Sequence, residues 1–400
     1  MAAPAPTSSS VPACGDLPAA VSAFADAFVD FAVSGIFFPA SGSTSTPSPT
    51  PAPSPPTTFI PSPSRLVAIG DLHGDLPKSL SALRLAGLVP PRSSSGSEGA
   101  DEPSVSTSWA AGPTLAVQLG DILDRGGDEL RLLYLLRRLS LSAEARGGAL
   151  LPIIGNHEVM NISGDFRFAT PQGFQEFSAW AGWYRAGLAI KRRCGGLEPQ
   201  PRNPFLGVPR AFPGVKPEFW DGMRSRLAAL RPDGPIARRF LADLPTVLVV
   251  GDSVFVHGGL LEANVEYGLE RINSEVSEWI RGAGGNNARA PEYVRGRDAV
   301  VWLRRFSDAT VTIVTARGWR GVDVGLSKGC GNGLPEVLEI NGGGAEVRVI
   351  TTPPAEAWQY RKQEAEKAAK AVKEKKGEVK DGLALLVRES HGLKEVEAKA

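Results

Sequence analysis

Short apolar runs alternate with helix-like stretches along the central part of the chain. Leu66–Ile69, Leu115–Leu119 and Ala149–Ile154 are apolar. A stretch with helical spacing follows the first run to about Leu85, and a Leu- and Arg-rich one covers Asp128–Arg146 after the second. Strands that alternate with helices are typical of βαβ units built on a parallel sheet. The pattern therefore predicts a βαβαβ unit.

Two further pairs of apolar runs predict β-hairpins. Thr246–Val250 and Ser253–His257 are separated by a Gly-Asp pair, which is typical of a tight turn. Val337–Ile340 and Ala345–Ile350 flank a Gly-rich segment. Phe174–Leu244 has helical spacing interrupted by prolines, so this region is predicted to be mainly helical. Together these elements predict an α/β fold.

The first part of the chain, residues 14–40, is predicted to form an amphipathic helix that docks on the main domain. The stretch Leu17–Ala40 is apolar enough to suggest a membrane span, but Asp26 and Asp30 interrupt it. Its Phe and Val residues also recur at roughly helical spacing. We therefore expect no membrane partner.

Composition sets the remaining domain boundaries. Residues 41–64 are dominated by Ser, Thr and Pro, a composition that cannot bury enough apolar surface to fold, so they are predicted to form a linker. The main domain is then expected to cover residues 65–352. Residues 353–400 are rich in Ala, Lys and Glu, which predicts an exposed helix or a charged tail.

Charge and cysteine content narrow the class of protein. The 44 basic and 43 acidic residues leave a net charge of +1, without the basic excess of a polyanion-binding surface, so we expect no nucleic-acid partner. Cys14, Cys194 and Cys330 are odd in number and far apart, which supports neither a disulfide framework nor a structural zinc site. A reducing compartment is expected.

The N-terminus lacks the charge pattern of a targeting segment. No Lys or Arg occurs before Arg65, whereas signal peptides begin with a positive region and transit peptides are rich in Arg and poor in acids. Asp16 and Asp26 also come early. We expect a cytoplasmic protein without a chloroplast transit peptide, with mitochondria as the less favoured alternative.

Residues that can bind metals follow four of the predicted strands. The motifs are GDLHG at 70–74, GDILDRG at 120–126, GNHE at 155–158 and VHGG at 256–259. Because the carboxyl ends of parallel strands meet in one crevice, the first three motifs should converge. Carboxylate, imidazole and amide oxygen ligands in one place suit a pair of divalent ions such as Mn, Fe or Zn.

Each motif by itself has an ordinary explanation. A His after a strand is more often a hydrogen-bonded loop residue, Gly-Asp is a common turn pair, and Asp124 with Arg125 can form a local ion pair. Turns alone do not account for three such clusters in order, each at a strand end. The set therefore predicts a metallophosphoesterase.

GDLHG, GDILDRG, GNHE and HGG in this order resemble the phosphoprotein phosphatase family of the calcineurin-like superfamily. Four stretches further resemble the Shewanella-like protein phosphatases of plants: EVMN at 158–161, GDFR at 164–167, RPDGP at 231–235 and residues 255–261. CGDLP at 14–18 resembles their non-chloroplast form. The resemblance spans about 14–350 outside the low-complexity inserts. It implies a calcineurin-like β-sandwich flanked by helices, and a phosphoprotein substrate.

The same resemblance implies the ligands of two metal ions. Asp71 and His73 would bind the first ion, and Asn156 and His257 the second. Asp121 would bridge the two ions. A water between the ions, with its pKa lowered by them, would supply hydroxide for in-line attack on phosphorus.

Three further motif residues are implied to act on the substrate. His157 would protonate the leaving oxygen, and Asp124 would orient and charge its imidazole. Arg125 would hold phosphate oxygens through its planar guanidinium and stabilise charge in the transition state.

One ligand that the resemblance implies is missing from its expected place. A further His of the second ion would lie in a Gly-His-Thr segment beyond HGG, but Ser307–Arg320 carries no such motif and is apparently shortened around 308–320. The unassigned His391 lies in the Lys-rich tail, where a solvated residue is expected. We interpret this difference as a mispredicted intron or splice variant rather than an evolved pseudoenzyme, and expect reduced activity.

Three functions stay open at this point. The leading one is a phosphatase of phosphoproteins, on Ser/Thr or Tyr. The second is a hydrolase of small molecules such as dinucleoside polyphosphates, because the same core serves both classes. The third is a pseudophosphatase that binds phosphorylated partners without turnover.

Overall fold

The protein is described here by a computed structural model that covers residues 18–36, 38, 54–91, 107–193, 202–303 and 334–353, with Lys362 and Glu366. The chain divides into two compact units, Met1–Ile350 and Thr351–Ala400, and the architecture below belongs to the first. Almost all of the predicted tail, and the whole segment at 308–320, lie outside the described residues.

Helices and strands alternate through most of the described chain. In chain order they are α1 (Pro18–Ser34), β1 (Phe59–Ile60), β2 (Arg65–Ile69), α2 (Leu76–Leu85), β3 (Leu115–Gln118), α3 (Glu129–Glu144), β4 (Ala149–Pro152), α4 (Asn156–Ile162), α5 (Pro171–Arg193), α6 (Trp220–Leu230), β5 (Val247–Val250), β6 (Ser253–Val256), α7 (Glu262–Tyr267), α8 (Leu269–Ile280), β7 (Glu336–Asn341) and β8 (Glu346–Thr351). No helix in the described part of the chain is long and apolar enough to cross a membrane.

The larger sheet has five strands in the order β4-β3-β2-β7-β8. Strands β2, β3 and β4 pair in parallel, with Leu66 opposite Leu115 and Leu115 opposite Ala149. Helices α2 and α3 connect them, which confirms the predicted βαβαβ unit. Strand β7 runs antiparallel to β2, and β8 lies beside β7, as expected for the predicted hairpin.

The smaller sheet has three strands in the order β1-β5-β6. Strands β5 and β6 form the predicted antiparallel hairpin. Strand β1 falls within the predicted linker, yet it pairs in parallel with β5. Asn273 supports this pairing, because its side-chain amide donates to Thr58 Oγ1 at 2.8 Å and to the Val247 carbonyl at 2.8 Å. The end of the Ser/Pro-rich stretch therefore belongs to the sheet.

The two sheets pack face to face around a small apolar core. Leu66 and Ala68 of β2 meet Leu248 and Val250 of β5 in this layer, which also includes Leu115, Val117, Leu119, Ile153, Phe255, Leu338 and Ile340. The alternate strand residues, such as Val67, face the larger core that the helices cover. The result is a β-sandwich flanked by helices, which confirms the expected fold class.

Helix α1 packs on the helical layer through a buried carboxylate. Asp30 accepts two hydrogen bonds from Arg239, at 2.5 and 2.6 Å, and one from the Tyr134 hydroxyl at 2.9 Å. Ala25 and Val29 are buried on the same helix. The apolar N-terminal stretch is therefore held on the domain by an ion pair as well as by apolar contacts.

Candidate metal centre

The four predicted motifs meet at one end of the sandwich. Asp71, Asp121 and Asn156 follow the carboxyl ends of β2, β3 and β4, and His257 follows β6. The loops after β2 and β3 are joined directly, because the Asp121 carbonyl accepts the backbone N–H groups of Leu72 and His73, at 3.0 and 2.8 Å. Convergence at the strand ends thus places the motifs in one site.

The buried carboxylate of Glu158 organises two of these loops. It accepts the backbone N–H groups of Asp121, Ile122 and Leu123 after β3, at 2.8, 2.9 and 3.1 Å, and that of Gly155 after β4, at 2.9 Å. Burial, and then the nearby Asp121 charge, raise the pKa of Glu158, whereas these hydrogen bonds favour its ionised form.

The backbone of the site is held in an uncommon conformation. His73, Asp121, Asp124 and Arg125 have φ values of 46°, 55°, 70° and 64°, in the left-handed region that non-glycine residues rarely adopt. The loops also approach closely, since a Cβ at Gly155 would collide with the backbone and carboxylate of Asp121. The site therefore depends on a tightly packed pair of turns.

The structure brings the five predicted metal ligands together around one carboxylate. Asp121 Oδ1 accepts the backbone N–H of His157 at 2.9 Å. Its Oδ2 faces three imidazole nitrogens, with the Nε2 atoms of His257, His73 and His157 at 3.4, 3.7 and 3.8 Å. Asn156 Oδ1 lies 2.7 Å from His257 Nε2, and Asp71 Oδ2 lies 3.7 Å from His73 Nε2.

The donor atoms fit divalent metal ions. His73 and Asp121 group with His157, and Asp121 also groups with Asp71 and His257, with all ligand atoms of each group within 4.8 Å of one another. His73 Nε2 is buried and has no hydrogen-bond partner, which leaves its lone pair available to a metal. Divalent ions of this kind bind imidazole and carboxylate donors. The described part of the chain supplies both, and one imidazole nitrogen is buried without a partner.

Both predicted ligand histidines are oriented by backbone carbonyls of the β3 region. His73 Nδ1 lies 2.9 Å from the Leu123 carbonyl oxygen and His257 Nδ1 2.7 Å from that of Leu119. Each Nδ1–H can therefore donate to a carbonyl, which directs Nε2 into the site. Burial lowers the pKa of His73 to about 4, so this ring is neutral at pH 7 and suited to coordination.

His257 and Asp121 each stabilise the charged form of the other. Burial alone favours the neutral ring, but the Asp121 charge outweighs it and raises the pKa of His257 to about 9. Burial alone would raise the pKa of Asp121. The nearby histidines, chiefly His257, nevertheless hold it below its usual range. The Asp121 charge thus favours a positive charge on His257, and a divalent ion bound in the site would take its place.

His157 directs Nε2 towards Asp121 and contacts Asp124 through its other ring nitrogen, Nδ1. His157 Nδ1 lies 2.7 Å from Asp124 Oδ2, and its Nε2 lies 3.4 Å from Arg125 Nη2. Burial opposes the charged ring, but the hydrogen bond to Asp124 and the Asp121 charge raise the pKa of His157. Phe168 packs against both His157 and Arg125. The three predicted substrate-directed residues therefore lie together beside the predicted metal ligands.

Asp124 is held by a buried network that the sequence motifs do not reveal. Asn161 Nδ2 donates to Asp124 Oδ2 at 2.8 Å, Arg226 Nη2 donates to Asp124 Oδ1 at 2.8 Å, and Glu129 Oε2 accepts the Asp124 backbone N–H at 2.8 Å. The available sequence signal is weak: Arg226 is a charged residue on the helical face that also carries Ala229 and Leu230.

Comparison with known proteins agrees with this geometry. The calcineurin-like phosphoesterase family matches residues 64–311. Shewanella-like protein phosphatase 2 of Arabidopsis thaliana is 46% identical over 373 residues, which cover 85% of this chain and 89% of the relative. The chain therefore belongs to the calcineurin-like phosphoesterases and, within them, to the Shewanella-like protein phosphatases. It is a metal-dependent phosphoester hydrolase.

Two further matches are more distant. Shewanella-like protein phosphatase 1 of Plasmodium berghei is 28% identical over 113 residues, covering 28% of this chain and 27% of that relative. A cold-active protein-tyrosine phosphatase of a psychrophile Shewanella species is similar in structure with a TM-score of 0.44 and 16% identity, covering 74% of this chain and 82% of that chain.

Replacing Glu158 by Gln should disorganise both loops. A glutamine offers one acceptor oxygen where four backbone N–H groups converge, so we expect a loss of at least about 2 kcal/mol in the free energy of unfolding. We also expect weaker metal binding, because Asp121 and Asn156 flank the affected loops. Urea unfolding and elemental analysis measure both quantities, with the exposed Glu144→Gln of α3 as the matched control. A Glu158→Gln protein as stable as this control would contradict the proposed dependence.

Proposed function

We propose that the chain removes phosphate from phosphoproteins with two divalent ions held at the candidate metal centre. The observation that carries this proposal is the convergence of three imidazole Nε2 atoms on Asp121 Oδ2. Manganese, iron and zinc suit this set of imidazole, carboxylate and amide donors.

Asp121 is proposed to contact both ions, with Asp71 and His73 on the first, and Asn156 and His257 on the second. Asp71 lies between the two histidines, with Oδ2 3.7 Å from His73 Nε2 and Oδ1 4.0 Å from His257 Nδ1. We assign Asp71 to the first ion, because His257 Nδ1 is turned towards the Leu119 carbonyl and away from a ligand role.

The bound ions supply Lewis-acid stabilisation of the phosphate and lower the pKa of water, which provides the nucleophile. The chain supplies the remaining groups. Nε2 of His157 faces the site while Nδ1 is fixed by Asp124, so a protonated His157 can donate from Nε2 to the leaving oxygen. Arg125 lies beside it and can hold phosphate oxygens as charge develops.

The substrate class follows from the family. Relatives named as protein phosphatases support a phosphoprotein substrate over a dinucleoside polyphosphate, and the five predicted ligands with His157, Asp124 and Arg125 in one place favour an enzyme over a pseudophosphatase. The net charge of +1 gives no support for a nucleic-acid partner. The three widely separated cysteines suit a reducing compartment and so support a cytoplasmic location.

A comparison of substrates tests the proposed class. With Mn²⁺ present, we expect kcat/KM for phosphopeptides to exceed that for diadenosine tetraphosphate by about 10²-fold or more, because binding energy is realised only with the matching substrate. Phosphate release from phosphoserine, phosphotyrosine and dinucleotide substrates gives the values. Faster turnover of the dinucleotide would reassign the chain to small-molecule hydrolysis, and absence of turnover on all three would favour a pseudophosphatase.

Substitution of His157 separates two roles for this residue, because the ring is also within reach of a metal bound at His73 and Asp121. If it is the leaving-group acid, His157→Ala should lose about 10²–10⁴-fold in kcat on poor leaving groups while metal content stays unchanged. His73→Ala is the matched control and should lose metal. Parallel loss of metal in His157→Ala would make His157 a ligand instead.

The second ion should be held more weakly than the first. In the described part of the chain, Asn156 contributes a neutral amide where Asp71 contributes a charge, so Coulomb attraction favours the first site. Dialysis against increasing chelator with elemental analysis should therefore remove one ion before the other. Asn156→Asp should raise retention of the second ion. Release of both ions in a single step by the unsubstituted chain would contradict the assignment.

A further inference from the structure

Arg226 is a buried charge outside the four motifs. Its side chain on α6 has no exposed surface. Nη1 and Nη2 donate to Glu129 at 2.7 and 2.6 Å, Nη2 also donates to Asp124 Oδ1 at 2.8 Å, and Nε donates to Asn161 Oδ1 at 2.7 Å. A buried guanidinium is costly unless each N–H finds an acceptor, and here its partners are the groups that contact Asp124.

Arg226 and its two partners Asn161 and Glu129 hold Asp124 from different directions. Arg226 contacts Oδ1 directly, Asn161 donates to Oδ2, and Glu129 accepts the backbone N–H. Asp124 itself has a φ of 70°, which an Asp adopts only where its surroundings support it. Removing Arg226 would therefore release the carboxylate and both groups that brace it.

Asp124 in turn fixes the ring of His157. Its Oδ2 lies 2.7 Å from His157 Nδ1, and the same oxygen accepts the hydrogen bond from Asn161. The chain of contacts runs from Arg226 through Asp124 to His157, whose Nε2 points to the metal ligands. Since Arg226 is fully buried, it reaches the reaction only through these neighbours.

We propose that Arg226 is a positioning residue that aims the His157 imidazole at the leaving oxygen by fixing the carboxylate of Asp124. The inference rests on the proposed role of His157 as the leaving-group acid. Loss of Arg226 then slows reactions in which the leaving oxygen needs a proton. Loss of Arg226 leaves reactions with good leaving groups almost unchanged, because a good leaving group departs without being protonated.

The test compares aryl phosphates whose leaving groups differ in basicity. Phenyl phosphate requires protonation of its leaving oxygen, whereas 2,4-dinitrophenyl phosphate does not. For Arg226→Lys, which keeps the charge but not the planar fork, we expect kcat on phenyl phosphate to fall about 10²-fold and kcat on the dinitrophenyl ester to stay within about threefold. KM for both esters should stay within about twofold, since binding groups are untouched.

A second variant guards against misfolding, because a buried arginine removed alone leaves two carboxylates without their cation. The double variant Arg226→Met/Glu129→Gln removes the guanidinium charge and the Glu129 carboxylate charge together. Its glutamine keeps an oxygen that can accept the Asp124 N–H. It should show the same dependence on the leaving group as Arg226→Lys, whereas Glu129→Gln alone should show less. Arg224→Met, two positions earlier on α6 and stacked on Phe205, is the matched control and should show no dependence.

The outcomes separate the two claims. If His157→Ala depends on the leaving group but the Arg226 variants lose activity equally on both esters, Arg226 is structural and the proposal is overturned. If His157→Ala itself shows no such dependence, the proposed function of His157 fails first. A dependence in His157→Ala and in both Arg226 variants, but not in Arg224→Met, supports the positioning role.

Discussion

One buried carboxylate determines whether the site can exist. Glu158 gathers four backbone N–H groups from two loops, and these loops carry Asp121 and Asn156. The third loop, after β2, is joined to the same unit because the Asp121 carbonyl accepts two of its N–H groups. Burial disfavours the charge, but four donors aimed at one anion favour it, so the carboxylate and the loops stabilise each other.

The loop after β3 is the centre of this arrangement. This loop carries Asp121, and its Leu119 and Leu123 carbonyls can accept hydrogen bonds from Nδ1–H of His257 and His73. One short segment thus orients predicted ligands from both sheets. On its far side the loop continues to Asp124, which is braced by α3, α4 and α6. The proposed metal ligands and the proposed leaving-group residues therefore share one backbone segment, although different helices support them.

The sequence was sufficient for the parts that depend on local pattern. Alternating apolar runs predicted β2, β3 and β4, and each motif directly follows its strand, so convergence of Asp71 and Asn156 follows from the sheet. Contacts made across long separations were not predictable. Arg226 meets Asp124 across 102 residues, in an unremarkable helix. Strand β1 has two residues, and its pairing with β5 depends on a distant side chain rather than on its own Ser- and Pro-rich composition.

The left-handed residues of the centre place stability and function in opposition. Each non-glycine residue held at positive φ costs on the order of 1–3 kcal/mol of backbone strain, and glycine would relieve it. At His73, Asp121, Asp124 and Arg125 the relief would also remove a side chain with a proposed role in the site. Substitution by glycine at these four positions is therefore not a route to a more stable protein that keeps the site. Substitutions that stabilise this chain are therefore expected elsewhere, in the sandwich core and on the helical surface.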